Sequence, residues 1–153
     1  MEPIDITTNR KAFRDYEILE RLETGIALVG SEVKSLRHAK ASLDDAFARI
    51  DEGQIFLHNA YIAPYEQASY FNVESKRIRK LLLHRGQIVK LESKIVQRGF
   101  SLIPLKMYFN SRGVVKMELA LARGKKLYDK REDVKKREVE LQMRKMLKNR
   151  RNR

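Results

Sequence analysis

At 153 residues the chain has the size of one domain, with 42% hydrophobic and 35% charged residues. A formal net charge of +13 makes a polyanion the expected partner, and the absence of cysteine excludes disulfides, thiolate metal sites and cysteine nucleophiles. No apolar run approaches the ~18 residues of a membrane span, and Met1-Glu2-Pro3-Ile4-Asp5 lacks the basic-then-apolar order of a signal peptide, so a soluble cytoplasmic protein is expected.

In chain order, residues 1–12 include Thr7-Thr8-Asn9-Arg10-Lys11 and read as polar and extended. From Tyr16 to Val29 the apolar positions alternate and break at Thr24-Gly25, which predicts two pieces of strand around a turn or bulge at Gly25. Gly30-Ser31-Glu32 then opens a short helix, with Ser31 as cap, Glu32 at the positive end, and Val33 and Leu36 on one face. Leu43 to Ile50 reads as strand, Asp51-Glu52-Gly53 as a hairpin turn, and Gln54 to Asn59 as the return. The stretch from Ile62 to Phe71 is aromatic and irregular. Ile88, Leu91 and Ile95 at helical spacing, stopped by Gly99, predict a helix over the second half of Leu81–Arg98.

Two apolar runs, Phe100 to Phe109 and Val114 to Ala122, flank Asn110-Ser111-Arg112-Gly113 and make the clearest β-hairpin. Pro104 inside the first arm calls for an edge position or a bulge. Beyond Gly124 the character changes. Glu132 to Asn149 can form a helix that Asp129 caps, supported by i,i+4 pairs such as Glu140/Arg144. Its apolar stripe of Val139, Met143, Met146 and Leu147 is thin, so it should order best on a partner. About six strands and two or three helices suggest a mainly β fold, a small barrel of the oligonucleotide-binding type with added helices. A barrel over 1–122 is then followed by a basic tail over 123–153, disordered or conditionally helical. The tail holds 14 basic and 5 acidic residues, a net +9, against +4 for the rest.

Signals of catalysis are weak. His38, His58 and His84 lack metal-ligand spacing, and Gly124-Lys125-Lys126 lacks the remainder of a phosphate loop. Ser31-Glu32-Val33-Lys34 matches the Ser-x-x-Lys spacing without its companion motifs. Asp44-Asp45 and Asp51-Glu52 could hold a divalent ion for a nuclease, but adjacent carboxylates on a strand point to opposite faces and a hairpin turn is naturally acidic. No catalytic, metal or cofactor residue is assigned. Nucleic-acid signals are stronger. Lys76-Arg77-Ile78-Arg79-Lys80 places four cations ahead of an apolar anchor, Leu81-Leu82-Leu83, and follows Tyr61, Tyr65, Tyr70 and Phe71, which could stack on bases. Gly124-Lys125-Lys126-Leu127-Tyr128-Asp129-Lys130-Arg131 joins two lysines for phosphate and one planar ring to the start of a charged helix.

Together these residues resemble the SsrA-binding protein family, also called small protein B. The likeness is carried by Asn9-Arg10-Lys11, Asp15-Tyr16, Glu23-Thr24-Gly25-Ile26, Gly30-Ser31-Glu32-Val33-Lys34-Ser35-Leu36-Arg37, Arg79-Lys80-Leu81-Leu82-Leu83, Ile103-Pro104-Leu105-Lys106-Met107-Tyr108, and Gly124-Lys125-Lys126 with Asp129-Lys130-Arg131. Thr24 stands where the family usually has Ala, Gln87 where it has an acid, and Tyr128 where relatives carry His. The resemblance implies an oligonucleotide-binding-type barrel and a role in trans-translation, the rescue of stalled ribosomes. It implies that the barrel holds the tRNA-like part of transfer-messenger RNA through Asn9, Arg10, Glu23, Lys34, Arg37, Arg79, Lys80 and Leu82. It implies that the tail, through Gly124, Lys125, Lys126, Tyr128, Asp129, Lys130 and Arg131, meets ribosomal RNA in the small subunit's decoding centre and the empty message channel. The expected partners are transfer-messenger RNA and the ribosome, with no cofactor, small-molecule substrate or membrane, for a protein that is monomeric when free and not an enzyme. The residues alone leave three rivals: a ribosomal structural protein, a nuclease using Asp44, Asp45, Asp51 and Glu52, and attachment to a membrane through the basic tail.

Overall fold

The computed structural model describes residues 2–65, 73–125 and 127–151, with backbone alone for 127–133 and Arg151. Nine strands and four helices follow in the order β1 Ile4–Thr8, α1 Arg10–Asp15, β2 Tyr16–Ile26, α2 Gly30–Arg37, β3 Ala41–Ser42, β4 Phe47–Asp51, β5 Gln54–His58, β6 Tyr61–Ile62, β7 Arg79–Leu82, α3 Arg85–Arg98, β8 Ser101–Phe109, β9 Val115–Gly124 and α4 Leu127–Arg151. All strand pairings are antiparallel. Around the sheet the order is β8-β4-β5-β7-β2-β9, β9 returns to β8, and β1 adds to the far edge of β8. Two seams are short. β4 meets β8 through Ala48↔Leu102, and β2 meets β7 through Gly25↔Leu82 and Ile26↔Leu81. The result is the expected mainly β, oligonucleotide-binding-type barrel, not strictly closed.

The β8–β9 hairpin forms as its two apolar runs predict, and Gly113, at φ 78°, supplies the left-handed turn residue. Pro104 lies at the bulge rather than at an edge, because β8 is paired on both sides and its register slips between Pro104 and Lys106. The bulge turns Leu105 outward. There Leu105, Ile103, Ala120 and Ala122 form a second small core with Ala12, while the main core of Ile55, Leu57, Leu81, Met107, Met117 and Leu119 fills the barrel. Small side chains at 120 and 122 let α1 lie close on the hairpin.

Several expectations are corrected. Residues 10–12 are helical rather than extended, because Asn9 caps α1: its Oδ1 accepts from the Ala12 N–H at 3.2 Å and its Nδ2 donates to Pro104 O at 2.9 Å. The strand does not break at Gly25. β2 runs through to Ile26, and its irregularity falls at Ile18/Glu20. Gly25 is closely packed, since a Cβ there would lie 3.2 Å from Leu82 Cβ and Leu82 would have to give by a few tenths of an ångström. Leu43 to Ile50 is not one strand but the end of a loop and the start of β4. Glu52 and Gly53, both left-handed, make the two-residue turn of the β4–β5 hairpin. The run ahead of Leu83 contains β7, and Gly99, at φ 66°, ends α3 as its position requires.

Ser31 does not cap α2. Glu32 does, its Oε1 accepting from the Val29 N–H at 3.1 Å. At the other end, Ala39 N–H bonds Leu36 O and Lys40 N–H bonds Ser35 O, with Ala39 left-handed at φ 55°. This is a Schellman closure in which an alanine takes the place of the usual glycine. β9 continues two residues past position 122. α4 starts at Leu127, earlier than expected, so Asp129 lies inside its first turn and not at its cap.

Candidate nucleic-acid interface

Alternation along β7 sorts the cation run. Arg79 and Leu81 point inward; Lys80 and Leu82 point outward. Arg79 is 1% exposed, and its guanidinium is used up inside the protein: Nε donates to Glu32 Oε2 at 2.6 Å, Nη1 to Ala60 O at 2.7 Å and Nη2 to Ser75 O at 3.0 Å. Arg77 Nη2 donates to Glu32 Oε1 at 2.5 Å. One carboxylate therefore caps α2 and clamps it to two arginines of the β7 approach. Burial alone would raise the Glu32 pKa, but the hydrogen bonds from Arg77, the Val29 N–H and Arg79 outweigh it and hold the group below the ordinary carboxylate value. Ser35 Oγ adds a bond to Ala63 O at 2.6 Å. With Glu32, Ser35 and Leu36 buried, the opposite face of α2 presents Lys34 and Arg37 to solvent.

The outer face of the sheet is a second surface. In register across β7, β2, β9, β8 and β1 lie Leu82, Gly25, Lys116, Tyr108 and Asp5; the next row holds Glu23, Glu118, Lys106 and Thr8. Glu23 accepts a hydrogen bond from the Tyr108 hydroxyl. Partial burial, that bond and the negative charges of Glu23 and Glu118 hold the phenol protonated well above its usual range. Arg21 Nη1 lies 3.4 Å from Glu118, and Lys106 Nζ lies 3.8 Å from Asp5 and 4.0 Å from Glu118. Lys80 and Lys116, by contrast, have no side-chain ion pair or hydrogen bond among the described residues. Leu82 stands 53% exposed above Gly25. α1 lies over the neighbouring part of this face, with the Arg21 guanidinium 5.4 Å from the Phe13 ring centroid, and Arg10 opens it exposed.

Of the residues that the resemblance assigns to RNA, Glu23, Lys80 and Leu82 share the outer face, and Arg10 opens the helix laid on it. Lys34 and Arg37 lie on α2, and Arg37 reaches the same face at its Asp5 end, where both line one pocket. Arg79 and Asn9 are the exceptions. Both are 1% exposed and hydrogen-bonded within the fold, so they support the surface from inside rather than face a ligand. Lys116 and Tyr108 belong to this face without having been singled out. Their signal in the sequence is the alternation of Lys106 and Tyr108, and of Lys116 and Glu118, with apolar residues on the two arms next to the hairpin turn.

Of the aromatics ahead of the cation run, Tyr61 is exposed and the Tyr65 ring lies 5.6 Å beneath Lys34 Nζ; Tyr70 and Phe71 fall outside the described residues. Asp45 pairs with Lys11 at 3.1 Å, and among the described residues no three His, Asp or Glu side chains are grouped to hold a metal. The tail leaves beside α1, where the Lys125 N–H donates to Asp15 O at 2.9 Å. α4 spans about 38 Å at 1.5 Å per residue, and its side chains from Val134 to Arg150 are exposed. Gly124 ends β9; Lys126 lies outside the described residues, as do the side chains of Tyr128, Asp129, Lys130 and Arg131. No helix among the described residues is long and apolar enough to cross a membrane.

Comparison with known proteins extends these likenesses over most of the chain. The family model described as SmpB protein matches residues 6–149. The SsrA-binding protein of Chlorobaculum tepidum is 53% identical over 147 residues, covering 96% of this chain and 94% of that protein. The SsrA-binding protein of Desulforamulus reducens is 54% identical over 138 residues, covering 90% and 86%. A chain in a solved structure described as "tmRNA-SmpB: a journey to the center of the bacterial ribosome" superposes with a TM-score of 0.67 at 55% identity, covering 79% of this chain and 85% of that one.

Proposed function

The chain belongs to the SmpB protein family, and from that premise we propose that it binds the tRNA-like part of transfer-messenger RNA and delivers it to stalled ribosomes for trans-translation. The observation that carries the reading is the pairing of two unlike surfaces. The barrel presents a mixed face on which Glu23, Lys80, Leu82 and Lys116 adjoin, and the tail is a separate cationic rod. Phosphate contacts from Lys and Arg supply affinity and make it salt-dependent, whereas carboxylates, apolar side chains and shape discriminate among RNAs.

The tail reads the ribosome. Its +9 charge is attracted to ribosomal RNA, and the residues from Gly124 to Arg131 form its base. Only a channel free of message has room for a helix of this length, so occupancy by message excludes the tail sterically. The functional division is a barrel whose last strand ends at Gly124 and a tail beyond it, two residues later than the boundary between 122 and 123 that the sequence suggests. The protein acts by binding rather than catalysis, without a cofactor, as a monomer when free, in the cytoplasm with the ribosomes it serves.

Truncation after Lys126 tests the division. Affinity for transfer-messenger RNA should stay within about tenfold of the full chain at physiological salt, while tagging of stalled nascent chains in a reconstituted translation system should vanish. Loss of RNA binding as complete as loss of tagging would overturn the division.

A further inference from the structure

The outer-face row ends at Asp5 in an open pocket of about 350 Å3 between β1, the end of β8 and the C-terminus of α2. Ile4, Leu36, Ala39 and Phe109 supply apolar walls, and Arg37 and Asp5 supply the polar groups. We propose that this pocket is a nucleobase subsite, taking one unstacked base of the bound RNA against the Phe109 wall, with the planar Arg37 guanidinium over it and Asp5 accepting an N–H from its edge. The inference rests on the RNA-binding reading above and adds to it a ligand class for one place on the surface.

Three observations favour a base over another occupant. Arg37 has no hydrogen bond or ion pair among the described residues, although Asp5 lines the same pocket, whereas Arg77 and Arg79 are committed to Glu32. A free guanidinium beside an apolar wall suits a flat, electron-rich ring better than a phosphate alone. The pocket is also continuous with the RNA face through Tyr108 and Asp5, and His38 and Lys40 next to it are exposed, Lys40 able to hold a flanking phosphate. Finally, Ile4 is 55% exposed at the pocket rim, and Ala39 keeps its methyl on the pocket despite a left-handed backbone that glycine would adopt more readily.

The test compares full-length protein with three variants, binding transfer-messenger RNA across a salt series, with thermal melts in parallel. Arg37→Lys keeps the charge and loses the planar fork, so affinity should fall about tenfold with an unchanged salt slope. Ala39→Gly relieves the backbone and removes a wall methyl, so the melting temperature should not fall while affinity drops roughly threefold. Ile4→Ser should weaken binding similarly, again at constant slope. Photocrosslinking of 5-iodouridine-substituted RNA should map to peptides from β1 or the end of β8.

Failure of the parent protein to bind the RNA would sink the functional reading itself. With the parent binding normally, wild-type affinity in Arg37→Lys and Ala39→Gly would overturn the subsite alone. So would a crosslink from the pocket to a ribosomal protein instead of RNA.

Discussion

Arg79→Met removes the guanidinium at the centre of the clamp and keeps a side chain of similar length. Glu32 retains Arg77 and the Val29 N–H, but Ala60 O and Ser75 O lose their donors. Removing one partner of a buried ion pair costs about 3–5 kcal/mol, and the surviving Arg77 contact places this change toward the lower end. A loss of about 3 kcal/mol against a total of roughly 5–15 kcal/mol leaves a folded protein. At roughly 3–5 °C per kcal/mol for a domain of this size, the melting temperature should drop by about 10–15 °C.

Glu32→Gln leaves two guanidinium groups around a neutral amide and should cost a comparable amount. In the double variant the losses should fall short of their sum by at least about 1 kcal/mol, because the two side chains share one interaction. Urea titrations followed by circular dichroism at pH 7, with RNA affinity measured on the same four proteins, give the complete cycle. The clamp also sets where α2 presents Lys34 and Arg37, so the two single variants should lose RNA affinity together. The reasoning fails if Arg79→Met melts within a few degrees of the parent and loses RNA binding while Glu32→Gln binds normally. Arg79 would then be a ligand contact.

Acid should expose the same carboxylate. Because the folded pKa of Glu32 lies below the unfolded value of about 4.3, its stabilisation is complete above that value and is lost as pH falls through the folded pKa; urea midpoints between pH 2 and 7 should show a steeper decline for the parent than for Glu32→Gln. Asn9→Ala should cost about 1–2 kcal/mol by removing the α1 cap together with the bond to Pro104 O, with RNA affinity per folded molecule falling less than for Arg37→Lys.

The elements that were legible in the sequence are those whose signal is local. The β8–β9 hairpin announces itself by two apolar runs about a Gly-containing turn, and α3 by three aliphatic residues at helical spacing before Gly99. α1 was not legible because it has six residues and buries one, Ala12; its stability comes from Ala120 and Ala122, more than a hundred positions away. β7 was hidden by its charge. A cluster of four cations reads as solvated surface until period two is applied, and the Glu32 that neutralises Arg77 and Arg79 stands 45 and 47 residues upstream. The same non-locality limits the site. Glu23, Lys80 and Leu82 could be named from the resemblance, but only strand register brings Lys116 and Tyr108 beside them.

Register also bears on how the two surfaces divide their work. Glu23 and Glu118 face each other across β2 and β9, a like-charge pairing that costs a few tenths of a kcal/mol to about 1 kcal/mol unless neighbours offset it. Arg21, Lys106 and the Tyr108 hydroxyl do offset it, and in doing so they are partly committed within the face. A face built simply to attract polyanions would leave those cations free and would omit the carboxylates. This one leaves few cations uncommitted, Lys80, Lys116 and Arg37 among them, beside an acidic group and exposed apolar side chains. Such a face offers few cations to phosphate and more to fit, whereas the tail carries its +9 charge with little to bury. On the function proposed above, specificity for the RNA resides in the barrel, and most of the electrostatic attraction, with most of its sensitivity to salt, resides in the tail.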